Sequence, residues 1–203
     1  MQKVVLVTAL AAASAGCAMF GGGKPASDWK PLEPAAYYPL KVGNSWTYSA
    51  NVLGNHSEDT ITVLKEDFGW FVDDHKSRLR VDAYGLRDEK RYLIREPLAV
   101  GKAWTSVVSV QSVEHAKIVG VDDSITTLAG VFDHCLTVET SNRQDEAKTL
   151  VMRTTYAPHV GIVKIQVVLD AEGKLTPQTD VELVSYKVAP PAPPAPPKAE
   201  PAK

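Results

Sequence analysis

The sequence has little of what several specialised classes of protein require. Only two cysteines occur among the 203 residues, too few for a disulfide scaffold or a four-thiolate zinc site. Twenty-two lysines and arginines stand against 24 aspartates and glutamates. The charges are mixed in sign along the chain, with no basic stripe, which argues against a nucleic acid partner. No long segment keeps apolar residues at helical spacing, so a helical domain is not expected.

Motifs for catalysis and metal binding are also missing from the sequence. The five histidines form no H-x-H or H-E-x-x-H motif, and neither a C-x-x-C motif nor a phosphate-binding loop is present. His134 and Cys135 could supply a base and a nucleophile, but neighbours on a strand point to opposite faces unless a bulge intervenes. We therefore expect a protein that is not an enzyme and has no cofactor or metal ligands.

Residues 1–16 predict a secretory signal peptide. Lys3 precedes an apolar run from Val4 to Ala13, and small residues follow. This is the order of the charged, hydrophobic and cleavage regions of a signal peptide. The run is too short to span a bilayer.

The residues Ser14-Ala15-Gly16-Cys17 resemble the lipobox of bacterial lipoproteins. The resemblance implies cleavage before Cys17 and acyl chains, palmitate among them, on its thiol and new N-terminus. Several such chains would anchor the protein stably to a membrane. Ala18 is not the aspartate that signals retention in the inner membrane, so the resemblance implies the outer membrane. The domain is then expected in the periplasm, and exposure at the cell surface stays open.

Two biased segments flank the central part of the chain. Residues 17–34 hold the predicted lipidated cysteine and three consecutive glycines, a composition typical of a flexible tether. Residues 189–203 hold seven of the 14 prolines and predict an extended polyproline II tail. The tail is either a disordered end without a role or a semi-rigid spacer or docking segment.

Residues 35–188 are predicted to form one all-β domain. Apolar and polar residues alternate in short runs, for example with Leu79 and Val81 on one face and Arg78 and Arg80 on the other. Turn-forming residues recur between the runs, including Asp67-Phe68-Gly69 and Asp122-Asp123. We expect about ten strands in a single antiparallel, strongly curved sheet. A partial barrel and a sandwich both fit the sequence.

An internal repeat stands out within this domain. The pattern P-L-x-V-G-x-x-W-T begins at Pro39 and recurs at Pro97, 58 positions later. Proline ends a strand, glycine permits a tight turn, and tryptophan opens the next strand with a large apolar side chain. The repeat predicts two related sheet corners that pack Trp46 and Trp104 equivalently, and a tryptophan-lined ligand groove is the alternative.

Three longer motifs carry a family resemblance. They are YYPLxxGxxWxY from Tyr37, GVFxxCxxV from Gly130 and YAPxVGxVK from Tyr156. Together they resemble a β-rich domain of bacterial envelope lipoproteins whose activity is uncharacterised. The resemblance implies a β-sheet fold and no particular chemistry.

Two functions fit these observations. The first is a lipid-anchored, non-enzymatic structural or interaction module that binds a further protein of the cell envelope. The second is a carrier or sensor of a lipid or other apolar ligand inside the curved sheet, which requires an apolar cavity. The aromatic and apolar residues that we expect to line such a cavity are Trp46, Trp104, Tyr48, Tyr92, Phe132 and Leu136.

Overall fold

The computed structural model describes residues 28–190. The predicted signal peptide, Cys17, most of the tether and most of the proline-rich tail lie outside these residues. The described chain is all-β, with a short 3-10 turn at Pro34–Tyr37. Among the described residues, no helix is long and apolar enough to cross a membrane. The strands are β1 (Ser45–Val52), β2 (Asn55–Asp67), β3 (Trp70–Asp73), β4 (Arg78–Asp82), β5 (Gly85–Arg87), β6 (Tyr92–Arg95), β7 (Ala103–Ser109), β8 (Ser112–Thr127), β9 (Gly130–Arg143), β10 (Lys148–Ala157), β11 (Gly161–Ala171) and β12 (Lys174–Lys187).

The strands form a single antiparallel sheet in the order β6-β5-β4-β3-β2-β1-β12-β11-β10-β9-β8-β7. Apart from β6 and β7, each strand pairs with its neighbours in the chain, and β1 also pairs with β12, so the sheet curves into a nearly closed barrel shape. The seam lies between β6 and β7, which follow one another in sequence without pairing. The predicted fold class is confirmed. The sheet has more strands than expected because β3 and β5, with four and three residues, are too short to show a clear alternation.

The repeated pattern builds two equivalent corners. Gly43 and Gly101 have φ angles of 88° and 91°, which favour glycine because it lacks a Cβ atom. The Gly43 amide donates a hydrogen bond to the carbonyl of Val63, and the Gly101 amide donates one to Ile118, both at 2.9 Å. The first corner therefore docks on β2 as the second docks on β8. The expectation of two related sheet corners is confirmed.

Each corner ends in a buried tryptophan whose indole N–H is satisfied by a backbone carbonyl. Trp46 is fully buried, stacks on Tyr38 with ring centroids 4.9 Å apart, and donates to the carbonyl of Val160 at 2.6 Å. Trp104 donates to the carbonyl of Tyr92 at 3.0 Å, across the seam from β7 to β6. Both indoles are thus parts of the sheet's packing.

The predicted turn at Asp122-Asp123 is wrong, because both residues lie within β8. The register between β8 and β9 shifts around Asp123, and His134 on the opposite strand has a φ of 59°. At the bulge both carboxylates have partners on the neighbouring strand β9. Asp122 contacts His134 at 2.6 Å, and Asp123 accepts a hydrogen bond from Thr137 at 2.8 Å. These bonds replace the local hydrogen bonds that aspartate makes in turns.

The chain contacts the sheet before position 35. The Trp29 ring stacks on His134 with centroids 3.8 Å apart, and Leu32 packs against the core. The part of the expected tether that the structure describes therefore lies on the sheet.

Candidate functional site

The curved sheet encloses a cavity of about 300 Å³. Its lining comes from strands on all sides of the sheet, so it lies in the interior. Most of the walls are apolar, which suits an apolar ligand. The apolar side chains include Ile61, Leu79, Leu93, Val138, Ile162 and Ile165.

An ion cluster of Asp88, Arg91 and Glu114 forms part of the cavity wall. The Arg91 guanidinium contacts the Glu114 carboxylate and lies 3.3 Å from an oxygen of Asp88. Burial opposes the charge of Arg91, but the hydrogen bonds and charges of the two carboxylates outweigh it and raise the pKa of Arg91. The same three residues line an outer depression of about 370 Å³. The cluster therefore lies between the interior cavity and the outer depression.

Two tyrosines on the cavity wall are held neutral. Tyr38 and Tyr156 both line the cavity, and burial raises the pKa of each phenol well above its ordinary value of 10.0. Their hydroxyls can hydrogen-bond a ligand but not act as bases near neutral pH. Among the described residues, no group of three or more His, Cys, Asp or Glu side chains could hold a metal ion.

Of the six residues expected to line a cavity, Tyr92 does so. The Tyr48 hydroxyl donates to the carbonyl of Ile162 at 3.0 Å, and the Phe132 ring lies 6.2 Å from that of Tyr186. Leu136 is fully buried in the core, and Trp46 and Trp104 pack at the corners. Alternation on β9 and β10 is a partial signal for the cavity residues, since it places Val138 and Thr140 on one face of β9, and Met152 and Thr154 on one face of β10. It does not show where along the strands the cavity lies.

His134 and Cys135 do not form a nucleophile and base. Cys135 is fully buried, and its thiol lies 3.4 Å from the carbonyl of Phe132. Burial, with the nearby charges of Asp123 and Asp133, raises the pKa of Cys135 to about 12. His134 is engaged instead with Asp122 and Trp29. The thiol therefore stays protonated and unreactive.

The free edge of β7 is unusual in carrying no charge. Residues 103–113 contain no Lys, Arg, Asp or Glu. Val107 and Val113 lie directly opposite each other on β7 and β8, and Val110 is 100% exposed at the turn between them. Natural edge strands are usually protected by charge, proline or shortness. The other edge, β6, has four residues, follows Arg91 directly and ends in Arg95.

The fold also assembles a basic aromatic cluster that the sequence did not predict. Leu79 lines the cavity, so its neighbours Arg78 and Arg80 point outward. The guanidiniums of Arg78, Arg80 and Arg87 lie 5.6, 4.6 and 5.8 Å from the Trp70 ring, within cation–π range. The contributing residues are scattered over β3, β4 and β5, so no run of basic residues announces the cluster.

Comparison with known proteins gives distant similarity only. No family model and no curated protein matches the sequence. A similar solved structure, described as a "putative lipoprotein" from Parabacteroides distasonis, is 15% identical to this chain. It covers 74% of this chain and 98% of its own, with a TM-score of 0.42.

Proposed function

We propose that this protein is a lipoprotein of the outer membrane that binds other envelope proteins through its β domain and catalyses no reaction. The predicted signal peptide and the lipobox-like residues ending at Cys17 support the anchor. The unprotected edge of β7 is the observation that carries the binding role. Its partner is an extended segment of another protein.

The geometry of the seam limits the docking edge to the second half of β7. Trp104 bonds to Tyr92, and Glu114, which pairs with Arg91, lies opposite Ser106. These contacts hold the first half of β7 against the β6 side. From Val107 onward the edge faces the depression that Val108 lines with Lys90 and Arg91. A partner strand can add to the edge there through backbone hydrogen bonds, while its apolar side chains cover the exposed Val107 and Val110.

Site-specific photo-crosslinking in intact cells tests this function. A photoreactive amino acid replaces Val110 at the β7–β8 turn or, as a control, Glu172 at the β11–β12 turn, which is at the same end of the sheet. We expect a discrete adduct with an envelope protein from position 110 only, and its loss when Val107→Lys is added. No adduct, or equal adducts from both positions, would contradict the proposal.

A second candidate function, carriage of an apolar ligand, is favoured by the interior cavity. Its volume of about 300 Å³ is at the lower end of the range for small-molecule sites. Native mass spectrometry of the domain expressed from Lys24 onward would detect a bound lipid as a discrete extra mass. Met152→Trp, which fills the cavity, should abolish that mass, whereas the exposed change Val131→Trp should not. A protein without any extra mass rules out this candidate.

A further inference from the structure

Phe68 is an aromatic residue whose side chain is exposed to solvent. It occupies the tip of the β2–β3 hairpin, is 98% exposed, and has a φ of 49° followed by Gly69. Bulky residues rarely adopt this left-handed conformation. The Phe68 side chain is not buried against the described residues, so burial does not offset the cost of the backbone conformation. Exposed aromatic residues of this kind favour the interface between water and a bilayer.

The basic aromatic cluster begins two residues after Phe68, at Trp70. Arg80 and Arg87 lie directly opposite each other on β4 and β5, where like charges repel. Arg87 bonds to the backbone carbonyls of Asp88 and Glu89 rather than to a carboxylate.

The carboxylates around this cluster neutralise it only in part. Arg78 lies 3.6 Å from Asp67 and 3.4 Å from Glu89. Arg80 lies 3.9 Å from Asp82. Arg95 adds a further guanidinium at 5.4 Å from the Tyr92 ring. With Arg87, the four arginines have three carboxylates within ion-pair distance, so an anion is attracted to the guanidiniums that are left without one.

The chain enters and leaves the sheet at the end that carries Phe68. Turns of an up-and-down sheet alternate between its two ends, so the β2–β3 turn shares an end with the start of β1 and the end of β12. A groove of about 510 Å³ confirms this proximity, because Gly69, Lys41 and Pro190 all line it. The twelve residues from Cys17 to Asp28 span at most about 40 Å. A membrane anchor on Cys17 therefore lies within reach of this end.

We propose that this end of the sheet docks on the surface of the anchoring bilayer. Phe68 inserts below the headgroups, and the arginines around Trp70 bind lipid phosphates. The inference rests on the lipid anchor proposed above. It adds the orientation of the β domain relative to the membrane, which the anchor alone does not fix. The opposite end, with Val110, then points away from the membrane and toward protein partners.

Leu53 provides a matched control, since it has a φ of 51°, precedes a glycine and is 69% exposed at the opposite end. The lipidated full chain with Phe68→Cys or Leu53→Cys is labelled with an environment-sensitive fluorophore. It is then reconstituted in vesicles of three parts phosphatidylcholine to one part phosphatidylglycerol. The buried Cys135 thiol does not compete for the label. Quenching by doxyl groups on the lipid chains reports insertion.

We expect strong quenching of the label at position 68 and little at position 53. Equal quenching at both positions, or none at either in protein that floats with the vesicles, overturns the proposed orientation. A third outcome also overturns the proposed orientation: the label at position 68 is shielded from aqueous quenchers, but the doxyl groups on the lipids do not quench it. In that case the proline-rich tail or a second protein covers this end. Failure of the protein to float contradicts the anchor itself.

The role of the arginines is tested in the same vesicles. Each guanidinium near an anionic surface favours docking by about fivefold. Arg80→Gln with Arg87→Gln should thus lower the docked-to-undocked ratio about 25-fold with phosphatidylglycerol present. Arg143→Gln, at the opposite end, should leave the ratio unchanged. Equal effects of the two sets of variants would contradict binding of lipid phosphates by this cluster.

Discussion

Several side chains of this protein stabilise the fold by contacting backbone carbonyls and aromatic rings in other parts of the sheet. Trp46 is the clearest case, because one residue joins β1, the Val160 carbonyl and the ring of Tyr38. Gly161 sits against the same indole, so closely that an added Cβ atom would lie 3.0 Å from Nε1. The surroundings of Trp46 therefore leave no room for adjustment.

Trp46→Phe should destabilise the protein more than Trp104→Phe. The first change leaves a buried carbonyl without its donor and opens a cavity, at a cost of about 2–4 kcal/mol in the free energy of unfolding. The second removes a partly buried hydrogen bond and should cost about 1–2 kcal/mol. Denaturant unfolding followed by circular dichroism measures both values. Equal costs would contradict the difference that we assign to the two sites.

The buried thiol of Cys135 leads to a prediction of how the free energy of unfolding depends on pH. Its thiol has an ordinary pKa of 9.0, and burial raises the pKa in the folded protein to about 12. Above pH 9 the unfolded chain loses this proton while the folded chain keeps it, so the free energy of unfolding should fall as the pH rises from about 9 to about 12. Cys135→Ala should remove this part of the pH dependence. In the native protein at pH 8, the thiol should resist iodoacetamide until denaturant is added.

The sequence predicts some of these residue roles and misses others for a physical reason. The tryptophans were found because each repeats with its whole corner. The residues that line the cavity, such as Val138 and Ile165, were missed because alternation gives the face of a strand but not which parts of the faces meet. The arginines around Trp70 come from three strands, and only strand pairing brings Arg80 opposite Arg87.

Among the elements, the two corners are the part of the fold that the sequence predicts best. Each corner places a glycine with positive φ beside a longer strand, β2 or β8, and both strands continue beyond the corner into a hairpin. The β8–β9 hairpin reaches β12, where the Ala129 amide donates to the Leu183 carbonyl at 2.9 Å. Its bulge at Asp123 was mistaken for a turn because short-range patterns carry no information on partners across the sheet.

Gly43→Ala and Gly101→Ala should cost the same. In each case an added Cβ atom would meet nothing within 4 Å, so the penalty is the backbone strain of a positive φ, about 1–2 kcal/mol. Denaturant unfolding of the single variants and the double variant would test this equivalence. The costs should add, since the corners lie on different strands. Gly101→Asn should lower the free energy of unfolding by less, because asparagine tolerates the left-handed region. If one alanine variant costs much more than the other, the two corners are not equivalent.

For the whole molecule, the seam between β6 and β7 decides how the sheet closes. Every other neighbouring pair of strands shares backbone hydrogen bonds, whereas this pair is joined by side chains. Trp104 reaches Tyr92 from one side, and Arg91 reaches Glu114 from the other. The same ion cluster lines both the cavity and the outer depression. Closure of the sheet and access to its interior therefore depend on the same few residues.

Glu114→Gln tests whether this cluster holds the seam. Removing the carboxylate leaves the half-buried Arg91 with Asp88 as its remaining acidic partner, so we expect the free energy of unfolding to fall by about 1–3 kcal/mol. Hydrogen exchange should accelerate in β6 and in β7 while the β1–β12 pair stays protected. Glu139→Gln is the control, because Glu139 pairs with the exposed Arg153 at 2.8 Å, and such a surface pair contributes less than about 1 kcal/mol. Exchange that rises equally in β1 and β12 would mean that the cluster stabilises the sheet as a whole, and the seam would then not be the gate to the cavity.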